Sequence, residues 1–253
     1  MNRRSRARIC LVLAATSFGA AIAGGPAVAQ ARTAYVANSS SAPPSISRID
    51  TASNTVVGSP ITVGTNPYAI AITPDGTRAY VANATTPGTV SVIDTRTNTV
   101  IGAPIVVGDT PRGVAITPDG TRAYVANGGA GTFSVIDTKT NTVVGSPVVV
   151  GANAFSVAIT PDGNHAYVAN AGAGNVSVID TKTNAVVGSP ITVGTSPEWV
   201  AITPDGSRAY VANNSASQSV SVISTQTNTV VATIPVGAHP FAIAIAPDGN
   251  RAY

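Results

Sequence analysis

One tripeptide returns along the chain at a nearly fixed interval. Ala-Tyr-Val starts at Ala34, Ala79, Ala123, Ala166 and Ala209, and Ala252-Tyr253 begins a sixth copy. The tyrosines Tyr35, Tyr80, Tyr124, Tyr167, Tyr210 and Tyr253 are spaced 45, 44, 43, 43 and 43 residues apart. A period in the forties means one supersecondary unit copied many times, each copy burying its apolar face only against its neighbours. The fold must therefore be assembled from about five near-identical units.

Each period holds four short segments. The first is an apolar alternation, Tyr68-Ala69-Ile70-Ala71-Ile72-Thr73, closed by Pro74-Asp75-Gly76. The second is Arg78-Ala79-Tyr80-Val81-Ala82-Asn83, and the third Val90-Ser91-Val92-Ile93-Asp94. The fourth runs from Thr99-Val100-Ile101 through Ile105-Val106-Val107-Gly108. These segments, A to D, are β-branched and bounded by Gly, Pro, Asn or Asp, which is strand behaviour. The turns between A and B and between C and D are too short for a crossover helix, so neighbours must run antiparallel. At 44% hydrophobic and 10% charged residues, disorder is excluded. The fold class expected is all-β: a β-propeller of four-stranded antiparallel blades, with about five repeats of roughly 43–45 residues over 32–253. A stacked solenoid is the alternative architecture.

The first 31 residues read differently. Arg3, Arg4, Arg6 and Arg8 precede an apolar run from Ile9 to Gly24, then Pro26 and the small-residue cut sites Ala27-Val28-Ala29 and Ala29-Gln30-Ala31. That order is the order of a secretory signal peptide, and the run is short for a membrane span. Cleavage after Ala31 leaves ten basic residues against eleven acidic ones, so the net charge turns from +3 to −1. The basic character thus belongs to the leader, and no electrostatic case for nucleic acid or an anionic membrane remains. Cys10, the single cysteine, leaves with it, so no disulfide is expected. The expected location is extracytoplasmic, periplasmic or at the cell surface, with no transmembrane segment in the mature chain.

Tyr-Val-Ala-Asn, Val-Ser-Val-Ile-Asp-Thr, Thr-Asn-Thr-Val-Val and Ile-Thr-Pro-Asp-Gly resemble the YVTN-type β-propeller repeats of bacterial and archaeal surface and secreted proteins. The resemblance spans residues 33–253, with Ala in place of Thr in the third letter. It implies about seven blades, or roughly 300 residues at this period. The shortfall leads to the expectation of a truncated array, open, with two exposed blade edges. The alternative is a five-bladed ring closed by lending the last A strand, Phe241–Ala246, to the first blade.

Alternation places the D–A and B–C loops on one rim and the A–B and C–D turns on the other. Pro-Asp-Gly recurs at Pro74, Pro118, Pro161, Pro204 and Pro247, so the second rim is monotonous. Its aspartates, Asp75, Asp119, Asp162, Asp205 and Asp248, are explained by their turns and are too dispersed to chelate one ion. Neither metal nor cofactor is expected. The first rim is individual: Tyr68, Arg112, Phe155, Glu198, Trp199, His239 and Phe241 come from the starts of successive A strands, near the mouth of a central channel. Aromatics with one acid, one guanidinium and one imidazole suit a protein, peptide or saccharide-like ligand. Loop drift among copies would leave the same variety without a ligand.

No nucleophile elbow, Walker loop or zinc-protease motif is present. The reading is a secreted, non-catalytic binding or scaffold module acting through the variable rim. The alternative resembles lactonase-type propellers acting on a cyclic ester, with Glu198 or His239 as general base and Arg112 steadying an oxyanion. That alternative requires the three side chains to meet around one cavity.

Overall fold

The computed structural model describes residues 33–214 and 218–253, together with the backbone of Cys10–Val12. Apart from that backbone, the proposed leader lies outside the described residues. Every named element is a β-strand.

Sheet I holds β1 (Cys10–Val12), β2 (Thr33–Asn38), β3 (Ser45–Asp50), β4 (Thr55–Val56) and β5 (Ile61–Thr62). Sheet II holds β6 (Pro67–Ile72), β7 (Arg78–Asn83), β8 (Thr89–Asp94), β9 (Thr99–Val100) and β10 (Ile105–Val106). Sheet III holds β11 (Pro111–Ile116), β12 (Arg122–Asn127), β13 (Thr132–Asp137), β14 (Thr142–Val143) and β15 (Val148–Val149). Sheet IV holds β16 (Ala154–Ile159), β17 (His165–Asn170), β18 (Asn175–Asp180), β19 (Ala185–Val186) and β20 (Ile191–Thr192). Sheet V holds β21 (Pro197–Ile202), β22 (Arg208–Asn213), β23 (Ser219–Ser224) and β24 (Thr229–Pro235). All pairings are antiparallel, and the A–B–C–D order of the sequence is the order in sheets II to V, while β1 takes the A place in sheet I.

The fourth segment departs from its expected single strand in sheets I to IV. It is split into two two-residue strands, such as β9 and β10, which both pair with β8. The cause lies between them. Gly58, Gly102, Gly145 and Gly188 take φ of 64–68°, and each is followed two residues later by a proline. A left-handed residue turns the strand aside, and proline withholds a ladder donor. Sheet V lacks both residues and keeps one outer strand, whose register slips at Val231.

The sheets are held together by what lies between them. Tyr80, Val90, Val92 and Ile105 of sheet II pack on Ala123, Val125 and Ile136 of sheet III. The other clusters repeat this between sheets I and II, III and IV, and IV and V. Burying one such isoleucine is worth about 1.5–3 kcal/mol. The repeated tyrosine adds a polar tie. Tyr80 Oη donates to Asn141 Oδ1 at 2.6 Å and Tyr167 Oη to Asn228 Oδ1 at 2.6 Å, each reaching the C–D hairpin of the next sheet. Within a sheet, a buried asparagine locks B to C: Asn83 Nδ2 donates to Thr89 Oγ1 at 3.1 Å and Ser91 Oγ at 3.0 Å.

Two observations give the sheets a common centre. Inner strands of neighbouring sheets pack closely while outer strands barely touch, so each sheet is a wedge. Moreover, the Tyr68 ring of sheet II lies 5.7 Å from the Phe155 ring of sheet IV. Stacked sheets lie ~10 Å apart, so two sheets separated by a third could not bring rings together in a straight rod. The arrangement is β-propeller-like. The chain's last residues do not pair with β2, whose inner edge is taken by β1, Leu11 opposite Val36. Instead Ala244 and Tyr253 exchange backbone hydrogen bonds of 3.0 and 2.9 Å, so this segment starts a further A–B hairpin.

Candidate functional site

The variable rim is built on an irregularity that repeats. In each of β6, β11, β16 and β21 the register slips after the first residue, between Pro67 and Ala69, Pro111 and Gly113, Ala154 and Ser156, and Pro197 and Trp199. The residue skipped in each is Tyr68, Arg112, Phe155 or Glu198. Phe241 stands at the same place in the next copy. A β-bulge releases one residue from the ladder and re-aims its side chain, and bulges concentrate next to binding sites. The residue two before each bulge is left-handed: Asn66, Thr110, Asn153 and Ser196 have φ of 51–55°, and His239, two before Phe241, has φ 56°. In sheets II to V the carbonyl of this residue accepts the N–H that follows strand B, as in Asn66 O from Ala84 N (2.8 Å) and Ser196 O from Asn214 N (2.8 Å). This bond ties the D–A loop to the B–C loop and fixes the bulge at the hub.

Phe155 lies at the middle of what the bulges bring together. It is 1% exposed. Tyr68 meets it edge-on at 5.7 Å, Phe241 edge-on at 6.0 Å, and the Arg112 guanidinium stands 5.0 Å from its centroid. Such edge-to-face and cation–π contacts are each worth about 0.5–1.5 kcal/mol beyond area burial. Gly113 makes room: a Cβ there would lie 2.8 Å from the Phe155 carbonyl oxygen and from the Ser156 Cα. Arg112 is also anchored, with Nη1 donating to Asn153 Oδ1 at 3.0 Å.

A second, polar group forms at sheet V. Asn214 Nδ2 donates to Glu198 Oε2 at 2.8 Å, and Asn214 Oδ1 lies 3.2 Å from His239 Nδ1. Glu198 and Trp199 are half-buried and His239 is exposed. The seven rim residues therefore fall into an aromatic plug (Tyr68, Phe155, Phe241) capped by Arg112, and a polar arc of Glu198 and His239 joined by Asn214. Trp199 sits one residue beyond the bulge, opposite Ala212. Asn214 was not legible as a site residue, because it directly follows the repeated Tyr-Val-Ala-Asn. It opens a B–C loop of the variable rim, at a position that holds Ser39, Ala84, Gly128 and Ala171 in the other copies.

The constant rim is different in kind. Thr73 Oγ1 donates to Asp75 Oδ1 at 2.5 Å and the Thr77 N–H donates to the same oxygen at 3.0 Å; Thr117–Asp119, Thr160–Asp162 and Thr203–Asp205 repeat the pattern. These donors hold the carboxyls below the usual range, Asp205 at about 2. A cavity of about 380 Å³ between sheets II and III opens here, with Asp75, Asp119, Arg78 and Lys139 on its walls. Arg78 does not settle into a pair with its turn aspartate: its Nη1 donates to the Thr138 carbonyl of the next sheet. Among the described residues no group of three His, Cys, Asp or Glu is placed to hold a metal, and no helix is long and apolar enough to cross a membrane.

No family model and no curated protein matches this chain. Solved structures do. Hydrazine synthase of Kuenenia stuttgartiensis is similar over 88% of each chain, at 23% identity and a TM-score of 0.61. A functionally unknown protein of Desulfotomaculum acetoxidans matches 82% of this chain and 68% of its own, at 24% identity and a TM-score of 0.73. A protein of Bacteroides uniformis, provisionally a 6-phosphogluconolactonase, matches 89% of this chain and 75% of its own, at 18% identity and a TM-score of 0.75. At these identities the likeness is one of fold, and the fold is an all-β, propeller-like set of antiparallel sheets.

Proposed function

We propose that this chain is an extracytoplasmic, non-catalytic binding scaffold of the YVTN-repeat type, and that it takes a saccharide-like ligand on its variable rim. The observation that carries the reading is the bulge position. In a chain where turns, tyrosines and asparagines are copied almost without change, the start of the A strand varies from copy to copy, and the bulge position within it holds Tyr, Arg, Phe, Glu and Phe. The plug forms the floor; Phe155 is too deep to touch a ligand. Glu198, Asn214 and His239, with Trp199 next to Glu198 in the chain, are the groups left to meet one. A half-buried indole next in the chain to linked hydrogen-bonding groups suits a sugar ring.

The second reading is a lactonase-like hydrolase. In its favour, Asn214 links Glu198 to His239. Against it, Arg112 is engaged by Asn153 and the Phe155 face, and no contact joins it to Glu198 or His239. A glycan array probed with the wild-type chain, Trp199→Ala and Glu198→Gln separates the two, alongside a lactone-hydrolysis assay. The binding reading expects array signals that both variants weaken and no lactone turnover. Array binding that ignores both variants, or turnover abolished by Glu198→Gln, would refute it.

A further inference from the structure

Five Pro-Asp-Gly turns follow the A segments, and an Asp-Gly pair can rearrange its own backbone. Glycine has no side chain to keep its amide nitrogen from the neighbouring carboxyl carbon. The five turns share one backbone. Thr73 N donates to Arg78 O at 2.9 Å and Gly76 N to Thr73 O at 2.8 Å; Ala246 N donates to Arg251 O and Gly249 N to Ala246 O, both at 2.8 Å. Gly76, Gly120, Gly163, Gly206 and Gly249 all take φ of 70–75°. What differs is one hydroxyl. Thr73, Thr117, Thr160 and Thr203 stand two residues before the first four aspartates, and Ala246 stands before Asp248. Each threonine braces its turn in two directions. Its Oγ1 donates to the aspartate Oδ1 at 2.5 Å. The same oxygen accepts the N–H that opens strand B at 3.0–3.1 Å. The side chains of Thr77, Thr121, Asn164 and Ser207 then hold the second carboxyl oxygen at 2.8–2.9 Å. Among the described residues, the Asp248 carboxyl is met by the Asn250 N–H at 3.0 Å.

We infer that Asp248-Gly249 is a site of spontaneous backbone modification, passing through a succinimide to isoaspartate, and that the threonine of the other four turns is what spares them. The Gly249 nitrogen attacks Asp248 Cγ. A C–N bond forms, and the amide proton and the carboxyl hydroxyl leave together as water. Water then opens the five-membered imide. Breaking the bond to Cγ restores aspartate. Breaking the bond to the main-chain carbonyl carbon leaves Gly249 joined through Cγ, with one more methylene in the main chain. Nothing is oxidised or reduced. Ring closure needs a neutral carboxyl that can swing about χ1 until Cγ meets the nitrogen. The threonine opposes both: its hydroxyl fixes the carboxyl in place, and hydrogen bonds to a carboxylate favour the charged form. The Asn127-Gly128 pair, open to the related deamidation, is held by burial. Asn127 is fully buried, its Nδ2 donates to Thr132 and Ser134, and Gly128 N donates to Thr110 O at 2.9 Å.

The test is to age the purified full chain in mildly acidic buffer, digest it, and label the peptides with a protein L-isoaspartyl methyltransferase and radioactive S-adenosylmethionine. The peptide holding Asp248 should take label, while those holding Asp75, Asp119, Asp162 and Asp205 stay at background. Ala246→Thr should bring Asp248 down to that background. Thr203→Ala, at a turn in the interior of the array, should raise Asp205 to the level of Asp248. Thr203→Ser keeps the hydroxyl and should leave Asp205 at background, with circular dichroism following the fold of each variant. Heat-unfolded wild type has no braced turn and should label all five aspartates alike. Label spread evenly over the turns of the folded chain, label at Asp248 that survives Ala246→Thr, a folded Thr203→Ala that leaves Asp205 at background, or the same preference for Asp248 in the unfolded chain would overturn the inference.

Discussion

At the scale of single residues, the repeated tyrosine and the turn aspartates carry the stability of the array. Tyr124 is fully buried, and its hydroxyl meets the Asn184 amide and the Thr181 carbonyl (3.1 Å) of the next sheet. Tyr124→Phe keeps the ring and removes these bonds, so urea denaturation should show a loss of about 0.5–1.5 kcal/mol. Titration gives a two-sided prediction. The turn aspartates have folded pKa values below their unfolded ones, chiefly through threonine hydroxyls. Their contribution is complete above about pH 4 and is lost as pH falls through the folded values, down to about 2 for Asp205. Burial raises the Tyr167 hydroxyl to about 12. Its contribution is complete below about pH 10 and is lost as pH rises toward 12. Thermal melts across pH should therefore show both an acid and an alkaline limb. The tyrosine was the plainest mark in the sequence, yet its partner was not legible. The asparagine it reaches lies about sixty residues on, in another copy, and only packing brings the two together.

At the scale of elements, the strands and their order were readable because alternation and turn chemistry are local. The bulge was not. Nothing in Asn66-Pro67-Tyr68 or Asn153-Ala154-Phe155 announces a slipped register; the slip follows from a left-handed residue whose carbonyl must meet the loop after strand B. The sequence named the rim residues as a set but gave no means to divide plug from polar arc. The division predicts different responses. Phe155→Ala leaves a cavity under Tyr68, Arg112 and Phe241 and should cost about 3–5 kcal/mol. Glu198→Gln changes a half-buried group held by one amide and should shift stability by no more than about 0.5 kcal/mol. Parallel chemical denaturation of the two variants checks both figures. The outer strands also separate: removing one glycine and one proline turns a broken edge into β24, a difference of two residues with a consequence for the whole sheet.

At the scale of the molecule, what distinguishes a fan from a rod is who meets at the centre. Every inter-sheet cluster would survive in a stack, since each involves only neighbours. The contacts of Phe155 would not, because they reach Tyr68 two sheets before it and Phe241 in the hairpin that follows sheet V. The period in the sequence implied wedges around a hub, and the aromatic plug is where that implication acquires atoms. The most direct test is solution NMR with the Tyr68, Phe155 and Phe241 rings assigned. The account predicts nuclear Overhauser effects from Phe155 to both Tyr68 and Phe241. Assigned rings with no cross-peak between Tyr68 and Phe155, while neighbouring-sheet contacts remain, would contradict it.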